Sequence, residues 1–178
     1  FEKSITTYDQ AIARFPLAYK LHFEKGVAFL KSKKYPEAEE CFKKSLQMNP
    51  FHAGSHLCLG HTYKLNGYIV PAIYAYMTFL IIEPASNRSL NTLISIESIS
   101  QGKDLPSPDS VTDLHINKEA YNEAELIMQS GVARDTKYKL KTKADYTATR
   151  QMQSLFEKVE YDKSNPDFWM QYYVPFFN

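Results

Sequence analysis

The chain has 178 residues, 21 Lys and Arg against 20 Asp and Glu, and a formal net charge of +1. A balance so close to zero gives no global field to draw in nucleic acid or an anionic membrane. The length allows one domain with a substantial core, or a repeat array with a second unit attached. Two cysteines, Cys41 and Cys58, give neither a disulfide framework nor a metal spacing. Aromatic residues reach 14%, with 13 Tyr and 11 Phe, which implies much packed or interface area. The chain starts at Phe1 without an initiator Met or a basic-then-apolar leader, so it reads as a piece of a longer protein and its compartment stays unassigned.

In chain order, Tyr8, Ala11 and Pro16 come first. His22, Lys25, Gly26, Phe29, Ala38, Phe42 and Pro50 then recur as His56, Leu59, Gly60, Tyr63, Ala72, Tyr76 and Pro84, a period of about 34 residues. Residues 1–14 therefore read as a second helix whose first is missing, 19–33 and 35–48 as one helix pair, and 53–66 and 69–82 as the next. Gly26 and Gly60 fall on first helices, where a missing side chain lets the second helix approach closely. That closeness offsets the roughly 1 kcal/mol that Gly costs in a helix interior. Residues 87–98 begin where a further first helix is due; with Leu90, Leu93, Ile94 and Ile96 apolar, they read as a closing helix.

Gln101 to Ser110 is rich in Pro, Gly and Ser and reads as a loop within a linker over 99–117. Residues 118–132 place Ala120, Tyr121, Ala124, Ile127 and Met128 at helical spacing, with Gly131 as a stop. Residues 144–161 place Tyr146, Met152, Leu155, Phe156 and Val159 on one side of another helix. Asn165 and Pro166 read as cap and first turn of a short aromatic segment from Phe168 to Phe177. Its Trp169, Tyr172, Tyr173 and Phe176 read as core, because so dense an aromatic patch left in water is an aggregation liability.

The order H-x2-L-G-x2-Y, A-x3-Y, P resembles the tetratricopeptide repeat over residues 1–98: a partial repeat at 1–16, repeats at 19–50 and 53–84, and a closing helix at 87–98. His56 departs from the pattern, standing where a large apolar residue is usual. The resemblance implies an all-α fold, a right-handed α-α superhelix of helix pairs; residues 118–178 resemble no family and are expected to form an α-helical C-terminal segment packing on the array. It also implies a concave groove, lined by the first helices, that binds peptides or protein segments. By phase the groove residues are Lys20, Phe23, Val27, Leu30, Leu57, His61, Lys64, Arg88 and Asn91. An apolar groove with a basic rim suits a segment with hydrophobic anchors and an acidic group near Arg88 or Lys64. Family members that grip chaperone carboxyl termini use a clamp of Lys, Asn and Arg. Here the clamp positions hold Phe23, Val27, Cys58, Arg88 and Thr92, of which only Arg88 fits, so no such clamp is expected.

The two second helices differ on their outer faces. Glu39, Glu40, Lys43, Lys44 and Gln47 correspond to Ile73, Tyr74, Met77, Thr78 and Ile81, and residues 65–82 carry no charge. Asn66, Gly67, Pro71 and Thr78 interrupt this stretch, and a membrane span needs about 20 predominantly apolar residues, so no span is expected. A helix apolar all round is buried on both sides. Ile73, Tyr74, Met77 and Ile81 are therefore expected to be covered, by residues 119–177 folding back or by a separate chain, a second copy included.

His52, His56, Cys58 and His61 do not converge in threes on a helix at about 100° per residue, so no metal site is expected. Glu37, Glu39 and Glu40, and Glu119, Glu123 and Glu125, read as solvated faces rather than paired acid–base carboxyls. Lys137, Lys139, Lys141 and Lys143 read as a solvated connector, not a nucleic-acid site. No phosphate loop, nucleophile elbow or zinc-protease helix is present, and no cofactor is implied. The reading is of a non-catalytic scaffold for a protein or peptide partner. The alternative is an enzyme or sensor whose activity lies in the C-terminal segment or outside this stretch of chain.

Overall fold

A computed structural model describes residues 2–103, 113–114 and 116–177. Among the described residues there is no strand. Helix α1 (Glu2–Arg14) packs on α2 (Tyr19–Lys31), α2 on α3 (Tyr35–Met48), α3 on α4 (Ala53–Leu65), α4 on α5 (Ile69–Ile82) and α5 on α6 (Asn87–Ser100). The C-terminal part adds a 3₁₀ turn at Lys118–Tyr121, α7 (Asn122–Ser130), a 3₁₀ turn at Val132–Arg134, α8 (Thr147–Lys158), α9 (Phe168–Tyr172) and α10 (Val174–Phe177). The chain is thus an all-α stack of helix pairs with a helical segment folded back on it.

The repeat spacing acts through contacts between the helices of a pair. A Cβ on Gly26 would stand 2.7 Å from the Phe42 ring, and one on Gly60 would stand 2.6 Å from the Tyr76 ring. Each aromatic side chain of a second helix therefore lies directly on the backbone of its first helix. The turns inside the two pairs also match: Lys33 and Gly67, one period apart, both adopt left-handed φ, 58° and 76°. Glycine takes that conformation without strain, whereas lysine does so at a cost.

The repeat also explains the unusual histidine. His22 Nε2 lies 3.0 Å from the Pro16 carbonyl oxygen, and His56 Nε2 lies 2.8 Å from that of Pro50. A carbonyl only accepts, so Nε2 carries the hydrogen in both rings. Each histidine ties the start of its repeat to the proline that closed the previous one. At the third step, six residues after Pro84, stands Leu90, which is exposed. Instead, Ser89 donates its hydroxyl to the Glu83 carbonyl, and Ser86 caps α6 by accepting from the Ser89 N–H at 3.1 Å.

The C-terminal segment covers α5. Tyr74 is fully buried, with Phe156, Trp169 and Phe177 ring centroids at 5.6, 6.2 and 5.3 Å. Ile73 is buried with it and Met77 is half-buried. Ile81 differs from expectation: it is 56% exposed, bordering an open cleft that it lines with Tyr172, Tyr173 and Phe176. Tyr68, at the start of α5, fixes the returning chain: its hydroxyl donates to Asp113 Oδ1 and accepts from the Leu114 N–H, each at 3.0 Å.

Two carboxylates expected in solvent are buried instead. Glu39 accepts from the Tyr63 hydroxyl at 3.2 Å and pairs with Lys43 at 2.8 Å. Glu125 accepts the Ile69 N–H on Oε1 at 3.1 Å and the Val70 N–H on Oε2 at 3.0 Å. These donors open α5 and have no acceptor within it, so the carboxylate of α7 caps α5 from another part of the chain. Burial pushes the Glu125 carboxyl above its ordinary range, against the pull of the Val70 and Ile69 N–H groups.

Smaller boundaries shift as well. The closing helix runs on to Ser100, and α8 begins at Thr147, leaving Tyr146 outside it and exposed. Asn165 does not cap the tail helix: its Oδ1 accepts the Asp167 N–H in a turn, and Asp167 stands at the N-cap of α9. Gly131 stops α7 as expected, at φ 66°. The Pro106 and Pro108 loop lies outside the described residues.

Two outcomes test this packing. Gly60→Ala improves helix propensity by roughly 1 kcal/mol. It also drives a methyl into the Tyr76 ring, so chemical denaturation should show a net loss of about 2 kcal/mol. Glu125→Ala should cost about 2 kcal/mol by orphaning two buried N–H groups, whereas the exposed control Glu119→Ala should stay within about 0.5 kcal/mol.

Candidate functional site

The groove residues lie on one face of three first helices: Lys20, Phe23, Val27 and Leu30 on α2, Leu57, His61 and Lys64 on α4, and Arg88 and Asn91 on α6. At about 100° per residue this face is turned well away from the one that meets the second helix. The structure does not leave all of them open. The Phe23 ring is wedged between Phe42, at 6.0 Å, and His52, at 4.7 Å, and lies against Gly54. Leu57 is only 8% exposed. The His61 Nδ1 sits 2.9 Å from the Tyr76 hydroxyl. Arg88 is gripped by Glu83, Nε to Oε1 at 3.0 Å with a second bond from Nη2 to Oε2, and its guanidinium lies 5.6 Å from the Phe79 ring centre. That arginine holds the Glu83 carboxyl below its usual range, helped by Ser86. Lys20 and Asn91 are exposed, and Val27, Leu30 and Lys64 are half-buried on the face.

The histidines are occupied elsewhere. His52 Nδ1 lies 2.8 Å from the Ser55 hydroxyl, which in turn donates to Ser45. His56 donates from Nε2 to Pro50 and accepts on Nδ1 from the Tyr173 hydroxyl at 3.0 Å. Tyr172 donates to the same Pro50 carbonyl at 3.2 Å. The junction between the two repeats is therefore also the anchor of the tail. Burial pushes the Cys58 thiol up to about 11, the range of an unreactive thiol. Among the described residues no group of three His, Cys, Asp or Glu could hold a metal, and no helix is long and apolar enough to cross a membrane.

Two features had no clear sequence signal. An apolar cleft of about 230 Å³ opens where the α3–α4 turn, the end of α5 and the tail meet, lined among others by Phe51, Ile81, Tyr172 and Phe176. The buried Arg150 of α8 donates to the carbonyls of Ala133, Asp135, Tyr138 and Ala144 at 3.0, 2.9, 2.5 and 3.0 Å. Glu157 accepts the Lys141 N–H at 2.9 Å and the Thr142 N–H at 3.2 Å. The lysine-bearing connector is thus strapped to α8 through its backbone, with Lys137, Lys139, Lys141 and Lys143 exposed.

Residues 19–52 match the family described as tetratricopeptide repeat. The chain contains a tetratricopeptide repeat. The match spans α2, α3 and the turn into α4, with the Gly26–Phe42 contact inside it. Comparisons with curated proteins and with solved structures gave no match. Tetratricopeptide repeats are generally non-catalytic, and the repeat suggests a protein–protein interaction module.

His56 makes the tail anchor sensitive to acid. Burial, opposed by the Pro50 carbonyl and aided by His52, holds its pKa down at about 4, against roughly 6.5 in an unfolded chain. The neutral ring is the one that fits, so its contribution is complete above about pH 6.5 and is lost as pH falls toward 4, on the order of 3 kcal/mol. Glu39 and Glu125, both raised, titrate with the opposite sign, which makes the difference between variants the informative quantity. Between pH 7 and 4, unfolding followed by Trp169 fluorescence should show the wild type losing about 3 kcal/mol more than His56→Gln, a side chain that never charges.

Proposed function

We propose that the chain is a non-catalytic scaffold that holds a peptide or protein segment along the common face of α2, α4 and α6. What supports this reading is that the three first helices carry Lys20, Val27, Leu30, Lys64 and Asn91 in phase, with Lys20 and Asn91 exposed and Val27, Leu30 and Lys64 half-buried. Half-buried aliphatic side chains on a face that also carries the exposed Lys20 favour a partner with a hydrophobic anchor and a nearby acidic group. Phe23 and Leu57 serve the scaffold rather than the partner, since both are packed between helices. Arg88 contributes its position more than its charge, because Glu83 already neutralises it. The buried Glu39–Tyr63 and His56–Tyr173 pairs have the geometry of internal ties, which supports a non-catalytic role.

Peptides selected from a random library on the wild-type chain supply the probe. Their affinity should fall at least tenfold for Val27→Glu combined with Leu30→Glu, at unchanged helix content, and stay unchanged for Lys139→Glu on the connector. Selected peptides that bind both groove and control variants as well as the wild type would overturn the reading.

A further inference from the structure

Helix α6 has the sequence phase of a first helix, and its three faces have different fates. Thr92, Ile96 and Ile99 are buried, and α5, α7 and α8 pack on the helix. Arg88 and Asn91 belong to the groove face. The remaining face carries Leu90, Leu93 and Ile94, which are 58%, 51% and 59% exposed. At 100° per residue these three lie within about 100° of one another, with Glu97 among them.

This face has a defined counterpart in the rest of the array. One period back, Leu90, Leu93, Ile94 and Glu97 become His56, Leu59, Gly60 and Tyr63, all buried; two periods back they become His22, Lys25, Gly26 and Phe29. In both complete pairs this is the surface covered by the second helix, through Tyr76 on Gly60 and Phe42 on Gly26. The open stripe of α6 therefore continues, in register, the interface that builds every pair in the array.

We propose that the stripe is a docking site for an amphipathic α-helix of a partner protein, which takes the place of the second helix. The register specifies the occupant. Ile94 stands where the other first helices have glycine, so the large aromatic of a normal second helix has no room there and the incoming helix carries a small residue at that level. Glu97 stands where Phe29 and Tyr63 supply bulk. Its carboxylate accepts from Gln101 at 2.5 Å and is half-buried, so a lysine or arginine on the incoming helix is the complement. Two copies joined symmetrically through this stripe would bring their own Glu97 carboxylates to the same interface, with no basic residue among Leu90, Leu93 and Ile94 to pair them. The proposal concerns a different face from the groove and does not rest on it.

The probe is a fluorescent, amide-capped peptide with the sequence of residues 35–48, the chain's own second helix, carrying Phe42→Ala to clear Ile94 and Ala38→Lys to face Glu97. It should bind the wild-type chain, bind at least tenfold better than the same peptide with Phe42 retained, and lose at least tenfold on Leu93→Glu. Ile94→Glu provides a second disruption should Leu93→Glu lower helix content. Glu97→Lys should weaken binding of the probe that carries the added lysine and spare the peptide that keeps Ala38. Absence of binding, or equal binding of both peptides to all variants, overturns the proposal. A concentration-dependent dimer in sedimentation that Leu93→Glu abolishes would overturn it in favour of a second copy. A marked fall in melting temperature of both Leu93→Glu and Ile94→Glu without any partner would overturn it in favour of a stripe already covered within the chain.

Discussion

The N–H groups that open α5 dictate much of the rest. This helix is apolar on every side and uncharged, so it has to be enclosed, and an enclosed helix end cannot leave its first donors to water. The chain answers with Glu125, 56 residues beyond Ile69 and 55 beyond Val70. One carboxylate both satisfies the helix terminus and fixes where α7 sits. Once α7 is placed, α8 follows through its packing on α7, and the tail closes over Tyr74. The Tyr74 hydroxyl finds no hydrogen-bond partner among the described residues. Leaving it so costs about 1–3 kcal/mol, a loss that the contacts of its ring with three aromatic neighbours offset in part.

What is legible in the sequence is what repeats. Gly26 and Gly60, Phe42 and Tyr76, and the prolines at 16, 50 and 84 recur because each pair solves the same local packing problem, and two solutions in phase can be compared. The comparison also exposes the polar-to-apolar change from Glu39, Glu40 and Lys43 to Ile73, Tyr74 and Met77, and hence that something lies over α5. Helical periodicity alone groups Ile81 with them. Its fate depends on where the returning segment lies, a long-range fact that no local pattern encodes.

The unreadable parts share one physical cause: a polar side chain far along the chain meeting a backbone group. Glu125 reads as one of three acidic residues on a solvated helix, and only the position of the α5 terminus makes it different from Glu119 and Glu123. Arg150 sits in a helix with other polar residues, and nothing in its spacing foretells four carbonyls around one guanidinium. The histidine register is half visible. His22 and His56 stand one period apart in the sequence, but the reason, a hydrogen bond to the preceding proline carbonyl, is geometric.

That register also shows why the array changes character at α6. The His-to-proline tie and the glycine that seats an aromatic ring are both absent there, replaced by Leu90 and Ile94. A helix lacking its pair would ordinarily fray, since isolated helices of this length are marginal in water. α6 is held from the other side instead, by α5, α7 and α8, and by the Ser86 cap at its start. Its open stripe is therefore presented on a backbone already fixed, so little conformational entropy is left to lose there when another helix arrives. The same enclosure of α5 that organises the C-terminal segment thus leaves a preformed half of a repeat at the edge of the array.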